Sequence, residues 1–299
     1  MKIAITGGTG FVGSHLIPHL IQKNHQVLLI SRTSASSKSN IQSVKTITWD
    51  QLGINPELFE DVDAVVNLAG ESINQRWTEA AKARILNSRL KAADQISKAI
   101  EQCTHKPKVV VNASGMSIYG TSETDTFDER SPERIVDFLS GVVKQWEQAA
   151  DQIEGTRLVK VRVGLVVGTD GGAFPPMSMP YKLGIGGKVG SGKQWLSWIH
   201  IKDMVRLIEF CIVHEAIEGP VNATAPNPVT NEQFGQAIGR AFHRPHWFPV
   251  PSFMLKLIFG ELSTLLLDGQ KVLPHVLVQH GFEFQFLTVD QALEDLAKH

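Results

Sequence analysis

The sequence predicts an α/β protein built on a doubly wound parallel sheet, with a smaller lobe towards its C-terminus. Three observations carry this reading. Short apolar runs alternate with longer helical stretches through the first half, the pattern of βαβ units. Those runs are continuously apolar, so both faces of the sheet are covered, as in a parallel arrangement. After Gly168 the texture changes to Gly-, Pro- and Lys-rich sequence and then to short helices. At 299 residues the chain is long enough for about two domains, or for one large domain with an appended lobe.

The elements follow in order. Lys2 to Thr6 is a strand, and Phe11 to Lys23 a helix. Gln26 to Ile30 and Lys45 to Thr48 are the second and third strands, separated by a polar turn from Thr33 to Asn40. Asp63 to Leu68 is the fourth strand, and the Ala-, Leu- and Lys-rich stretch from Thr78 to Cys103 a long helix. Lys108 to Asn112, a helix from Ile135 to Gln152, and Arg157 to Val163 complete a core over residues 1–168. Asp170 to Gln194 is too long and aperiodic for a casual connection and reads as a site-forming loop. With a following helix it forms a segment, 169–218, shared between lobes. Pro220 to Ala223 (within 219–223) returns to the sheet. The smaller lobe covers 224–299, with helices at Asn231 to Phe242, Ser252 to Leu267 and Asp290 to Ala297. Thr230 with Gln233 matches a capping box.

Composition narrows the function. Twenty-nine basic and 30 acidic residues give a formal charge of −1, which argues against a nucleic-acid surface. Cys103 and Cys211 fit no metal spacing and no disulfide framework, so no metal is expected. No apolar run reaches the roughly 20 residues of a membrane span. The opening MKIAITGG reads as a strand entering a glycine turn, not as a secretory leader. The expectation is a cytoplasmic protein with reduced thiols and no membrane partner.

The strongest local signal is Thr6-Gly7-Gly8-Thr9-Gly10-Phe11-Val12-Gly13, between a strand and a helix. Gly7 permits the tight turn, Gly10 lets a phosphate approach the backbone, and Gly13 lets the helix pack on the sheet. Free amides at the helix start would hold a pyrophosphate, which makes this a Rossmann-like dinucleotide site. Thr9, Phe11 and Val12 complete the turn. The second strand ends in Ile30-Ser31-Arg32, where an NAD site usually carries an acidic side chain. Ser31 can bond a phosphate oxygen and Arg32 can neutralise it, so NADP(H) is expected over NAD(H). Arg32 as a plain surface residue is the competing reading. Asp50, at the end of the third strand, either accepts from an adenine amino group or caps a turn.

On these residues the sequence resembles the extended short-chain dehydrogenase/reductase superfamily, and within it a poorly characterised epimerase-family branch. The resemblance spans nearly the whole chain: TGGTGFVG at 6–13, NLAG at 67–70, SGMSIYG at 114–120, DFLSGVVKQWE at 137–147, GSGKQWLSWIH at 190–200 with Asp203, and GPVNATAPNPVTNEQF at 219–234. It implies that Leu68, Ala69 and Gly70 line the dinucleotide and that Gly164 and Leu165 lie near its nicotinamide. Asn67, Ser88 and Arg89 would support it, with Glu71 beside the substrate. It also implies a small-molecule substrate, and a monomer or a homodimer formed through the helices at 78–103 and 135–152.

The resemblance weakens at the catalytic centre. The superfamily uses a serine or threonine and a Tyr-x-x-x-Lys pair, the lysine lowering a phenol pKa that is otherwise about 10. Here the usual hydroxyl position of the SSxxxYG segment falls on Gly115, beside Ser114. The usual tyrosine falls on Ser140 and the lysine on Lys144. Serine is shorter and far less acidic than tyrosine, so the dyad is broken. Tyr119, Ser114, Ser117, Ser140 and Lys144 remain candidates for catalysis. Tyr119 also reads as a packing residue, and Lys144 as a ribose ligand or a solvated helix residue. In the later loop, Lys193, Gln194 and Trp198 are candidates for substrate contact and His200 for proton transfer. Trp198 and His200 read equally as lobe-to-lobe packing.

Two functions result. One is an NADP(H)-dependent oxidoreductase or nucleotide-sugar-epimerase-like protein acting on a small carbonyl, alcohol or sugar-like substrate. The other is a non-catalytic NADP(H)-binding sensor or assembly factor. A polar, roomy cleft near Tyr119 and Trp198 favours the first, and an apolar filled one the second.

Overall fold

A computed structural model describes residues 1–33 and 44–298. Beyond Thr33, the polar turn expected at 33–40 lies outside the described residues. In chain order the strands are β1 (Lys2–Thr6), β2 (Gln26–Ser31), β3 (Val44–Thr48), β4 (Ala64–Asn67), β5 (Val109–Gly115), β6 (Thr126–Phe127) and β7 (Arg157–Val163). There follow β8 (Leu165–Val167), β9 (Trp195–Leu196), β10 (Trp198–His200), β11 (Gly219–Ala223), β12 (Val229–Thr230) and β13 (Lys271–Val272). The helices are α1 (Phe11–Gln22), α2 (Trp49–Ile54), α3 (Glu79–Glu101), α4 (Phe138–Ala150), α5 (Phe174–Lys182) and α6 (Ile201–Val213). The remaining helices are α7 (Asn231–Ala241), α8 (Ser252–Phe259), α9 (Thr264–Leu267), α10 (His275–Gln279) and α11 (Val289–Ala297).

Seven strands form one parallel sheet in the order β3-β2-β1-β4-β5-β7-β11. This is the doubly wound arrangement, and the strand order reverses between β1 and β4. Ligands in such sheets sit beyond the strand C-termini at that point. Both faces are covered, as the unbroken apolar runs required. On one face Ile3, Ile5, Val66, Val111 and Val161 pack with Leu16 and Leu20 of α1 and Leu207 and Ile208 of α6. On the other, Ala4, Leu28, Val65 and Val110 meet Ile96 and Ile100 of α3. Each such fully buried side chain contributes about 1.5–3 kcal/mol.

Local signals set the helix starts. Capping boxes at Thr48/Gln51, Asp137/Ser140, Thr230/Gln233 and Thr288/Gln291 open α2, α4, α7 and α11. Helix α1 differs: it opens on Gly10 with no side-chain cap, leaving its first amides facing outwards for a ligand.

Three expectations change. The helix expected from Ser252 to Leu267 is α8, a 3-10 turn and α9, because Gly260 takes φ +56 and breaks the run. The expected loop from Asp170 to Gln194 contains α5, whose Phe174 and Tyr181 are buried with Trp198, Phe234 and Leu293. Asp50 lies in the first turn of α2 and not at a strand end; Thr48 is the last residue of β3.

The C-terminal residues are interleaved with the core. Strand β13 pairs with β6, β12 with β9, and β10 with β8. Leu277 and Phe282, expected in the smaller lobe, pack into the cluster under the main sheet. The groove between α3 and α4, the face expected to dimerise, is lined by Asp94, Lys98, Glu101, Gln145 and Gln148 together with the apolar Leu90 and Ala149.

Candidate dinucleotide site and the cleft beside it

The glycine turn is built as the motif requires. Gly7 has φ +68, and a Cβ there would collide with the Leu68 carbonyl. A Cβ on Gly13 would lie 2.5 Å from both the Gly7 carbonyl and the Gly8 Cα. Thr9 and Gly10 are exposed, Val12 is half-buried, and the uncapped start of α1 lies beside them. The ring of Phe11 packs on Gly168, Gly171 and Gly172, where any side chain would overlap it. The Phe11 ring is thus committed to closing the 168–172 turn.

Beneath the cradle runs a buried polar chain. Thr6, Asn67 and Asn112 sit in register across β1, β4 and β5. Thr6 Oγ1 donates to Asn67 Oδ1 at 2.6 Å, and Asn67 Nδ2 to Asn112 Oδ1 at 2.6 Å. The amide of Ala69 donates to Thr6 Oγ1 at 3.2 Å, which sets the path of Leu68, Ala69 and Gly70 past the switch point. Arg89 supports the same loop, its Nη1 donating to the carbonyls of Glu71 and Ile85 at 3.1 and 2.8 Å. Its guanidinium lies 5.0 Å from the Trp146 ring and blocks any side chain at Gly70. Burial pushes its pKa down to about 10, so it remains a cation at neutral pH. Ser88 Oγ accepts from the Glu71 amide at 2.9 Å.

At the end of β2, Ser31 Oγ donates to the Thr33 carbonyl and Arg32 is exposed. Gly164 follows β7 where the carbonyls of Ser197 and Ala223 crowd it, and the amide of Leu165 donates to the Ser197 carbonyl at 2.8 Å. Among the described residues no cluster of His, Cys, Asp or Glu could hold a metal ion.

The catalytic candidates part company. Tyr119 is fully buried and stacks on Phe127. Its hydroxyl donates to Asn222 Oδ1 at 2.7 Å and accepts from Arg162 Nη1 at 2.9 Å. Burial pushes its pKa up to about 12, which Arg162 only partly offsets. Ser140 is also buried; its Oγ accepts from the amides of Val136 and Asp137 and donates to Asp137 within the cap of α4. Ser114 Oγ donates to Glu147 Oε1 at 2.6 Å. These three hydroxyls, offered as proton-transfer candidates, are engaged in holding the fold. Ser117 is half-buried beside Gly115, and Lys144 reaches Glu133 at 3.6 Å from a half-exposed position.

The later loop is anchored by the residues expected to touch substrate. Gln194 is buried and donates to the carbonyls of Val189 and Leu266 at 3.0 and 2.8 Å. Trp198 is fully buried with its indole N–H on the Asn227 carbonyl. Lys193 is exposed. His200, the candidate for proton transfer, takes a packed position. It caps α6, with Nδ1 accepting from the Lys202 amide at 3.1 Å, and its ring packs on Phe286. Burial drives its pKa down to about 4, so it is neutral at physiological pH. Asp203 accepts from the amides of Gln285 and Phe286 and docks that segment.

Sequence reasoning missed a buried network below the cleft. Arg162 forms a bidentate pair with Glu147, Nε to Oε1 at 2.8 Å and Nη2 to Oε2 at 2.9 Å. Burial opposes the Glu147 charge, but the bonds and charge of Arg162 outweigh it and hold the carboxyl below its usual range. Arg162, one of three basic residues in the seven-residue strand RLVKVRV, was the available signal. Between the lobes, Leu262 packs with Trp77, Phe138 and Leu139, and Lys82 pairs with Glu261 at 2.7 Å. These contacts join the smaller lobe to the start of α4 and to the segment before α3.

Comparison with known proteins agrees with this architecture. The sequence profile of the NAD dependent epimerase/dehydratase family matches residues 3–223, and that of a domain of unknown function (DUF1731) matches 250–296. The epimerase family protein YfhF of Bacillus subtilis strain 168 is 42% identical over 299 residues, covering 99% of this chain and 98% of that protein. The crystal structure of human epimerase family protein SDR39U1 (isoform 2) with NADPH superposes with a TM-score of 0.93 at 37% identity over the whole of both chains. A nucleoside-diphosphate sugar epimerase from Corynebacterium glutamicum gives 0.80 at 26% identity, over 99% of this chain and 58% of that one. The glycine turn at a sheet switch point, the polar chain beneath it and the match over 3–223 lead to one conclusion: the chain belongs to the NAD dependent epimerase/dehydratase family.

Proposed function

We propose that this protein binds NADP(H) between the turn at Gly7–Gly13 and the loop at Leu68–Gly70, and that it acts as a reductase of a small carbonyl or sugar-like substrate. The carrying observation is the pairing of a complete cradle with an absent tyrosine dyad. Gly7 and Gly13 let the turn close against Leu68 and against itself, and Gly10 opens α1 without a side-chain cap, so a pyrophosphate would be met by its free amides. Ser31 and Arg32 stand where a 2′-phosphate would be met, and the solved human relative was crystallised with NADPH. The bound dinucleotide would supply hydride. In this reading Lys144 would meet its ribose, and Arg89, which donates to the Glu71 and Ile85 carbonyls, would keep the loop at Gly70 against it.

Reduction is favoured over epimerisation by the state of the hydroxyls. Epimerisation begins by oxidising an alcohol, which requires a base for a proton of high pKa. Tyr119, with its pKa near 12 and both hydrogen bonds made, and Ser140, held in a helix cap, do not supply one. Reduction of a carbonyl runs in one direction and needs one proton, which water can give, leaving hydroxide for the solvent to neutralise; epimerisation needs one group to take and return that proton within a single turnover. The buried, fully bonded hydroxyls of Tyr119 and Ser140 also support the second reading, a binding protein without turnover.

Equilibrium titration with NADPH and NADH, repeated on Arg32→Ala, tests the assignment. The expected result is a preference for NADPH that falls by roughly tenfold or more in the variant, the loss of one charge-assisted phosphate contact. Binding of neither dinucleotide by folded protein refutes the reading. Single-turnover oxidation of bound NADPH across a panel of aldehydes and keto sugars then separates reductase from sensor.

A further inference from the structure

The C-terminal lobe carries an apolar surface that neither the fold nor the dinucleotide site uses. Helix α8 buries only Leu255. Phe253, Leu257 and Ile258 are 70%, 85% and 67% exposed, and Trp247, Phe248 and Leu183 are exposed beside them. The patch is continuous in the backbone. The Trp247 indole N–H donates to the Gly184 carbonyl, the Phe248 amide to Gly186, and the Val250 amide to Lys188, immediately before α8. A contiguous exposed apolar face of this kind marks an interaction surface.

Charge indicates what covers it. About one residue in ten of the chain is acidic, yet residues 171–202 and 233–260 contain no Asp or Glu. Those stretches hold Lys182, Lys188, Arg244 and Lys256 around the patch, while Lys202 and Arg240 are paired with Asp295 and Asp290. A second copy meeting this face about a two-fold axis would bring its basic rim against an identical one, which is repulsive. Exposed Trp, Phe and Leu rimmed by Lys and Arg in excess of the acids at the edge, Glu232 beside Lys188 and Asp268 near Lys256, match instead the boundary between lipid headgroups and acyl chains.

We infer that α8 and the Trp247–Phe248 turn rest in the surface of an anionic membrane. The apolar side chains enter the acyl boundary and Lys182, Lys188, Arg244 and Lys256 face the headgroups. Among the described residues no helix is long and apolar enough to cross a membrane, so the protein lies on the bilayer. This goes beyond the sequence expectation of no membrane partner, which rested on the lack of a span.

Sedimentation of the full chain with phosphatidylglycerol or phosphatidylcholine vesicles tests the inference. The expected result is pelleting with phosphatidylglycerol that weakens in salt and with phosphatidylcholine. Phe253→Glu/Leu257→Glu should lower the partition by at least about tenfold, and Lys256→Glu alone by roughly fivefold or more. These positions are exposed, and an unchanged circular dichroism melt verifies that the variants fold. Failure of the wild type to pellet, equal pelleting on both lipids, or unchanged pelleting of the double variant overturns the inference. So does a dimer in light scattering that Leu257→Glu dissociates, since the patch is then covered by a second copy.

Discussion

Replacing Tyr119 by Phe separates a catalytic phenol from a structural one. The hydroxyl lies between Arg162 Nη1 at 2.9 Å and Asn222 Oδ1 at 2.7 Å, in a fully buried site. The substitution keeps the ring and its stack on Phe127 but removes one bond to a cation and one to an amide. It leaves two buried partners wanting, so a loss of about 2–4 kcal/mol is expected. With a urea slope of about 3 kcal/mol per molar, the unfolding midpoint falls by about 1 M. Affinity for NADPH should stay within about twofold, since the hydroxyl faces the network below the sheet end and serves it alone. Urea unfolding followed by fluorescence, with a parallel NADPH titration, measures both. A variant as stable as the wild type that no longer transfers hydride would refute the structural role.

Three other perturbations have defined outcomes. Glu147→Ala strands the buried Arg162 guanidinium and should cost about 3–5 kcal/mol in chemical denaturation, far above an exposed pair such as Lys98–Asp94. Gly13→Val places carbon atoms against the Gly7 carbonyl and Gly8; NADPH binding should disappear in calorimetry, with a drop in melting temperature as α1 moves off the sheet. His200 is held neutral with a depressed pKa of about 4, so its contribution is complete above about pH 6.5 and is lost as pH falls from there towards 4, by about 3 kcal/mol at the end. His200→Asn keeps a cap acceptor for the Lys202 amide without titrating. Its stability curve should be flatter over that window.

The sheet was legible because its physics is local. Runs such as Val65-Val66 and Val109-Val110-Val111 need cover on both faces, and the glycines after Thr6 admit few uses other than a phosphate turn. The end of α8 was less legible, since it depends on Gly260 adopting a positive φ inside an apolar run. The side chains that decide the chemistry were least legible of all. Tyr119, Ser140 and His200 carry suitable groups, but burial and partners far along the chain fix their roles: Asn222 for Tyr119, and Phe286 for His200. Capping by Ser140 was readable in part, because Asp137 precedes it by three positions.

The pairing of β13 with β6 bears on how the protein is made. Glu129, at the exit of β6, accepts from the amides of Asn222, His275 and Val276, the last two lying 146 and 147 residues downstream. A ribosome working at about 10 residues per second needs about 15 s to deliver them after Glu129. Throughout that interval the carboxylate lacks the His275 and Val276 amides, and the core surface later covered by Leu277 and Phe282 is open to water. The nascent sheet can assemble during synthesis, but its final closure awaits the last segment to be translated. Premature termination before His275 would yield a chain with an open core, a substrate for chaperones and proteases.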